Sequence, residues 1–369
     1  MSPKSPECWF EARGDAVTGR LYFGDNLDIL RRLDYVSNSS VDLIYLDPPF
    51  NSQAQYNLVF DRPSHKQRSI AQAGAFVDTW VWGEEAELAY RDLMQIGFTV
   101  GRLIDALRSA FHESDMMAYI VMMAVRLREL HLKLKPTGSI YLHCDPTASH
   151  YLKILMDAIF GQNRFLNEII WLRANAHNLK SRMWPRQHDT ILVFSRGETF
   201  TLNPVYQPYG AAQLKRYKPD ENGRLFTGRD MTVSLVRRLR QFEWRGTRPP
   251  PHRSWGASVE RLEQWYAEGR ILLKKDGTPR LDGLKVYLDE EKGKQVGTVW
   301  TDIDRVKNTA GERLGYPTQK PLALLERIIE ASTNPGDVVL DPFCGCGTTI
   351  EAAQRLDREW IGIDVAVQD

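Results

Sequence analysis

Cysteine is scarce in this chain: four in 369 residues, too few for a disulfide framework. No run reaches the roughly 18 apolar residues of a membrane span. The first residues, Met1 to Glu11, are polar, with no basic-then-apolar signal segment, so residence in the cytoplasm is the default expectation. Internal repeats and low-complexity tracts are also missing. With 43% hydrophobic and 26% charged residues, the composition excludes wholesale disorder and collagen-like architecture. Net charge is nearly absent, 48 Lys+Arg against 47 Asp+Glu, so the total carries no message about partners. Two nucleotide fingerprints are incomplete. The third glycine of a dinucleotide loop and the Gly-Lys-Ser/Thr of a phosphate loop are both lacking, which disfavours NAD and ATP. A nucleophile elbow is lacking too, which disfavours a hydrolase.

What is present alternates strand and helix, the pattern of an α/β protein with a mostly parallel sheet. Strands are expected at Arg20–Gly24, Val41–Leu46, Ser139–His143, Asn167–Leu172, Thr190–Phe194, Asp337–Leu340 and Trp360–Ile363. Helices are expected over Asn26–Leu33, Glu84–His112, Met116–Leu134, Ser149–Phe160, Pro321–Ser332 and Thr348–Leu356. Lys135-Pro136-Thr137-Gly138 reads as a breaker, and residues 51–80 as a mobile loop. At 369 residues, one large α/β domain with an insertion, or two domains, is expected.

Charge is segregated although the total is not. Residues 173–253 carry 16 Lys+Arg and 6 Asp+Glu, and the rest of the chain carries 32 and 41. The clean alternation decays in the same region, which is rich in Arg, Trp, Tyr and Pro. A basic, irregular insert in an acidic α/β body fits a nucleic-acid contact surface; the alternative is a solvated basic face.

Two turns carry chemistry. Val338–Leu340 is an apolar strand that runs into Asp341-Pro342-Phe343-Cys344-Gly345-Cys346-Gly347-Thr348-Thr349. Its two glycines permit a sharp turn and close approach of a ligand, and its threonines can cap the following helix. Asp364 follows the next strand, placed where a carboxylate can take both hydroxyls of a ribose. The pattern indicates a nucleoside-containing cofactor. A Cys-x-Cys without a second pair at zinc spacing gives no metal site. At the other turn, Asp47-Pro48-Pro49-Phe50 ends the apolar strand Val41–Leu46. Its prolines stiffen the backbone and remove two N–H donors. The Asp47 carboxylate and Pro48 carbonyl remain as acceptors, beside the flat face of Phe50. That set suits a planar base bearing an exocyclic amine, with catalysis by orientation and electrostatics rather than a covalent intermediate.

On these residues the chain resembles the β class of amino-group DNA methyltransferases that use S-adenosylmethionine. The resemblance extends through Phe76–Trp80, Gly138–Asp145, Asn167–Trp171 and Tyr316–Pro321, covering residues 20–200 and 296–365. It implies a Rossmann-like methyltransferase fold with circularly permuted motif order and an inserted target-recognition region. The implied division is an N-terminal extension (1–19), a catalytic half (20–172), a target-recognition and DNA-binding insert (173–300) and a cofactor-binding half (301–369). It places Asp47, Pro48, Pro49 and Phe50 at the target base. Asp341, Phe343, Gly345, Gly347 and Thr348 form the cofactor turn, with Phe343, Gly345 and Gly347 around the methionine part. Asp364 takes the ribose, and Thr318 and Lys320 lie beside the carboxylate. Asp25 either approaches the adenine or caps a helix; His143 and Asp145 either contact the pocket or support it.

The implied activity is methylation of adenine N6 in duplex DNA after base flipping. Alternatives are cytosine N4 and a catalytically inactive module that binds DNA and cofactor. Cytosine C5 chemistry is disfavoured because no Pro-Cys dipeptide occurs. The candidate DNA contacts are Arg237, Arg238, Arg240, Arg245, Arg248 and Arg253, interleaved with Phe242, Trp244 and Trp255, together with His65, Lys66 and Arg68. Candidate partners besides double-stranded DNA are a second copy of the chain and a restriction endonuclease; no membrane is expected. The helix that the family carries after its Asp364 strand is lacking. Truncation, or replacement by residues 1–19, would account for that, with the Arg20–Gly24 strand next in the sheet and the termini close together.

Overall fold

A computed structural model describes residues 7–13, 18–49, 81–96, 98–174, 184–307, 310–314, 316 and 318–365. It divides the chain into two compact units: Met1–Val205 with Gly297–Asp369, and Tyr206–Val296.

The first unit is built on one sheet of nine strands. In chain order these are β1 (Glu7–Arg13), β2 (Thr18–Phe23), β3 (Val41–Leu46), β4 (Leu134–Cys144), β5 (Phe165–Leu172), β6 (His188–Ser195), β7 (Val299–Trp300), β8 (Val338–Asp341) and β9 (Glu359–Asp364). Their spatial order is β1-β2-β9-β8-β3-β4-β6-β5-β7. From β2 to β4 every pairing is parallel, so this part must be covered by helices on its faces. The Val-Asp-Leu-Ile-Tyr-Leu run of β3 is accordingly buried along nearly its whole length. β6 is antiparallel to both β4 and β5, and β1 pairs antiparallel with β2. No helix among the described residues is long and apolar enough to cross a membrane.

The helix Asp115–Lys133 forms the centre of the core. Ser114 Oγ accepts the Met117 N–H at 3.3 Å and starts it. Thirteen of its residues are buried, including Met117, Ile120, Met123, Leu127 and Leu130. They pack with Ile44 and Leu46 of β3 and Leu142 of β4 in one cluster.

Several expectations shift. The single helix expected over Glu84–His112 is two, Glu84–Ile96 and Phe98–Phe111. Gly97, a poor helix former, stands between them. The expected breaker at 135–138 lies inside β4, as an irregularity where Val41 faces Leu134 and Leu43 faces Ser139. Gly138 permits it: a Cβ there would stand 3.0 Å from the carbonyls of Val41 and Asp42. The N-terminal residues Glu7–Arg13 are an edge strand, and β2 lies beside β9 as expected, with the Gly24 N–H donating to the Asp364 carbonyl at 3.0 Å. The expected loop 51–80 falls outside the described residues, as do His65, Lys66, Arg68 and Phe76–Trp80.

The second unit starts and ends later and earlier than the insert expected over 173–300, because β6 and β7 belong to the main sheet. Residues 206–296 hold 19 Lys+Arg and 12 Asp+Glu. Four antiparallel strands, Ile271–Leu273, Pro279–Tyr287, Leu225–Arg229 and Lys218–Pro219, lie side by side. With the helix Val259–Ala267 they enclose a small core of Met231, Trp244, Trp255, Leu262, Ile271, Leu284 and Val286.

Candidate active site

Strands β3 and β8 are neighbours, with Leu340 opposite Ile44. Both therefore deliver their turns to the same edge of the sheet, at the carboxyl ends of parallel strands. The Asp47-Pro48-Pro49 turn and the Asp341–Gly347 turn line a single cavity of about 270 Å³. Asp25, Asp47, Pro48, Pro49, Thr318, Lys320, Asp341, Phe343, Gly345, Thr348 and Asp364 all reach it. Gly347 lies outside the lining but has φ +82°, which sets the left-handed turn before the helix Thr348–Arg355. Phe50 falls outside the described residues.

The floor of the cavity is acidic. One oxygen of Asp47, Oδ2, is paired with the Lys320 ammonium. The other, Oδ1, is buried and has no hydrogen-bond partner among the described residues. A buried acceptor left unpaired is costly unless a ligand completes it. Asp364 Oδ2 accepts the Gly345 N–H at 2.7 Å, which pins the cofactor-type turn to the end of β9. Gly345 has φ +52°, and a Cβ there would come within 3.3 Å of the Tyr316 ring, so both conformation and space favour glycine. Burial raises the Tyr316 hydroxyl well above its ordinary value, with Asp364 adding to the effect.

Asp341 is buried at the end of β8. Burial pushes its carboxyl up to about 7; the Thr349 side chain and the Phe343 N–H oppose this, and Asp47 and Asp364 add to it. Between about pH 4 and pH 7 the folded chain thus holds a proton that the unfolded chain has released. Stability contributed by this group falls as pH rises through that window and is level above it. Melts of the native protein and Asp341→Asn at pH 5 and pH 7.5 measure this. The native chain should lose more stability than the variant on going to pH 7.5; equal losses would show that Asp341 ionises normally.

Asp25 fills one of its expected alternatives and borders the other. Its Oδ1 accepts the Leu27 N–H at 2.7 Å and caps the helix Asn26–Leu30, while the residue lines the cavity. Three residues outside the expected set line the cavity, and two of them hold this corner. Arg126 donates to Asp25 Oδ2 at 2.8 Å and to Asn26 Oδ1 at 2.6 Å, and Asn26 donates to the Pro342 carbonyl at 2.8 Å. A lone arginine in the apolar run Met122–Val125 to Leu127 was the available signal for Arg126. Tyr316, read only as part of a matching segment, is the third.

His143 supports rather than lines the cavity. It is fully buried, with Nδ1 2.8 Å from the Tyr45 hydroxyl and Nε2 3.2 Å from Asp189 Oδ2; Arg173 pairs with Asp189 at 2.8 Å. Tyr45 itself borders the cavity, two residues before Asp47 on the same face of β3. Asp145 accepts the N–H groups of Thr147 and Ala148 and opens the helix Ser149–Phe160. The threonines at the cofactor turn do not cap: the cap residue is Gly347, and the Thr349 side chain bonds Asp341. Among the described residues no three His, Cys, Asp or Glu side chains gather into a metal-holding group.

In the second unit the six candidate arginines divide. Arg245 pairs with Glu263 at 2.7 Å and lies 3.8 Å over the Tyr266 ring. Arg253 pairs with Asp230 at 2.7 Å and donates to Thr232 Oγ1 at 2.6 Å. Arg240 and Arg248 donate to the carbonyls of Gly256 and Gln241. The side chains of Arg237 and Arg238 are exposed and make no hydrogen bond or ion pair with another described residue. Trp244 and Trp255, interleaved with the candidate arginines, are core: they are buried, and each indole N–H is satisfied internally, by Glu263 and by the Phe242 carbonyl.

Comparison with known proteins adds independent information. The chain is 32% identical over 289 residues to the Type II methyltransferase M.EcaI of Enterobacter cloacae, covering 77% of this chain and 63% of that one. It is 27% identical over 351 residues to the Mod subunit of the Type III restriction-modification enzyme StyLTI of Salmonella typhimurium, covering 91% and 50%. The chain thus spans between half and two thirds of the length of these two relatives. Among solved structures, the PvuII cytosine-N4-specific DNA methyltransferase aligns over 94% of this chain and 82% of its own, at 14% identity and a TM-score of 0.43. The sequence pattern of the N6/N4 DNA methylases matches residues 41–368, from the first residue of β3 past the last residue of β9. Since that match spans the strand before Asp47 and both turns of the cavity, this chain belongs to the N6/N4 DNA methylase family.

Proposed function

We propose that the chain is a site-specific DNA methyltransferase that transfers a methyl group from S-adenosylmethionine to the N6 amine of adenine in duplex DNA. The observation that carries this reading is the buried, unpartnered Asp47 Oδ1, in the same cavity as the Gly345–Asp364 turn. An exocyclic amine is a poor nucleophile because its lone pair is delocalised into the ring. Asp47 and the Pro48 carbonyl supply acceptors for its two N–H bonds, which directs the lone pair out of the ring plane. Phe50 gives the base a stacking face. When bound, S-adenosylmethionine supplies a methyl group on a positively charged sulfur. The carboxylates Asp47 and Asp364 suit a cationic cofactor, Asp364 being placed for the ribose hydroxyls, Lys320 and Thr318 for the carboxylate, and the Asp25 corner for the adenine. Phe343, Gly345, Gly347 and Thr348 shape the turn around the rest. The target base must leave the helix, at a cost of a few kcal/mol.

In the family that the sequence resembles, Asp at the first position of this turn leans toward adenine and Ser toward cytosine, which supports adenine here. Long-read sequencing of DNA from cells expressing the protein reads the modified base and its motif together. N6-methyladenine at one short motif is expected; N4-methylcytosine would replace the substrate, and no modification at all would leave a DNA- and cofactor-binding module.

The basic second unit supplies the DNA contacts in this reading, with Arg237 and Arg238 as the phosphate or base contacts and Arg240 and Arg248 partly engaged. Arg245 and Arg253 act as internal struts. Replacing Arg237 and Arg238 together with alanine should weaken DNA binding and reduce the slope of log affinity against log salt by about 2. Arg245→Ala should instead lower the melting temperature slightly, because it removes the pair with Glu263 and the guanidinium over the Tyr266 ring. An unchanged DNA affinity together with an unchanged salt slope in the double variant would remove both residues from the DNA surface.

A further inference from the structure

The Lys320–Asp47 pair sets up a competition inside the cavity. The ammonium of Lys320 and the exocyclic amine of a base are donors of the same kind, and the amine's acceptor is the carboxylate Lys320 holds. The pair is shielded, with side-chain exposures of 11% and 17%, so solvent does little to loosen it. Among the described residues, Lys320 and Arg126 are the cationic side chains lining the cavity. Arg126 is committed to Asp25, Asn26 and the Met122 carbonyl. An anionic group entering the cavity therefore meets Lys320 as its counter-charge. A lysine on a flexible four-carbon stem can change partners by rotamer alone.

On the reading given above, we propose that Lys320 is a positioning residue that exchanges Asp47 for the carboxylate of the cofactor, so that Asp47 becomes fully available to the target amine only when the cofactor is in place. Lys320 holds Asp47 Oδ2 while the cavity is empty. Its departure frees Oδ2 beside the already unpartnered Oδ1, and cofactor and extruded base bind cooperatively.

The test measures DNA affinity rather than turnover. The DNA is a duplex carrying the sequenced motif with the target base opposite an abasic site, which makes extrusion easy. Its dissociation constant is measured for the full chain alone, with S-adenosylhomocysteine, and with the decarboxylated form of that molecule. Coupling of about tenfold is expected with the first ligand, within the usual range for linked sites, and below threefold with the second. Lys320→Gln should bring coupling close to one, with its ligand-free DNA affinity raised toward that of the loaded native protein. Equal coupling by both ligands in the native protein, or coupling in Lys320→Gln that matches the native value, would overturn the exchange. The two-ligand comparison uses the native chain, so misfolding of the variant cannot obscure the result. Failure of the methyltransferase reading looks different: the cells would carry no methylated motif.

Discussion

Asp47→Ala should reduce methyl transfer by about 10³-fold while cofactor affinity changes little. The size of the loss follows from what the residue does. Removing one preorganised hydrogen-bonding group from a water-excluded site costs about 10²–10³ in rate, and Asp47 also fixes the orientation of the amine, a separate contribution. The ionised side chain offers both of its oxygens, one buried and unpaired and one facing Lys320. Asp47→Asn separates geometry from charge. It keeps one acceptor oxygen but turns the other position into a donor, which opposes an amine and an ammonium alike. Single-turnover assays on DNA carrying the sequenced motif, alongside calorimetry with S-adenosylhomocysteine, report the two quantities separately. Normal turnover in Asp47→Ala would remove Asp47 from the mechanism; normal turnover in Asp47→Asn would show that one uncharged acceptor is enough.

The second large effect concerns the opposite wall. Asp364→Ala should weaken S-adenosylhomocysteine binding by about 100-fold. Hydrogen bonds to a charged group contribute about 1.5–3 kcal/mol each, and a carboxylate placed for a ribose makes two. Part of the loss comes from the turn itself, because the Gly345 N–H loses its acceptor at 2.7 Å. Asp364→Asn keeps an acceptor for that N–H and so should recover the turn while losing the charge. An intermediate affinity is expected for it. Native affinity in Asp364→Ala would show that the carboxylate serves the turn alone.

Much of this site is legible in the sequence. The Asp47–Phe50 and Asp341–Thr349 segments announce themselves because turns at the ends of buried strands need unusual residues: proline to remove donors, and glycine to admit positive φ and a close neighbour. Strand and helix positions were readable for the same reason, since β3 and the helix Asp115–Lys133 bury continuous or periodic apolar runs. The basic region misled in its details. The six candidate arginines look alike in sequence, yet Arg245 and Arg253 brace a small core filled by Trp244 and Trp255. Sequence carries no record of which arginines already have an acidic partner, because Glu263 lies eighteen residues from Arg245 and Asp230 twenty-three from Arg253.

By itself the sequence determined the class of sheet, the two chemically distinctive turns and membership in a family of DNA methylases. Each of these depends on residues close together in the chain, where local conformation and burial pattern decide. Tertiary structure alone decided that β8 lies against β3, so that turns nearly 300 residues apart share one cavity. It also decided that Lys320 holds Asp47, that Arg126 and Asn26 tie the corner at Asp25, and that burial lifts the Asp341 carboxyl toward neutrality. Pairing of strands and desolvation of charge are properties of neighbours in space, and the order of residues along a chain does not name those neighbours.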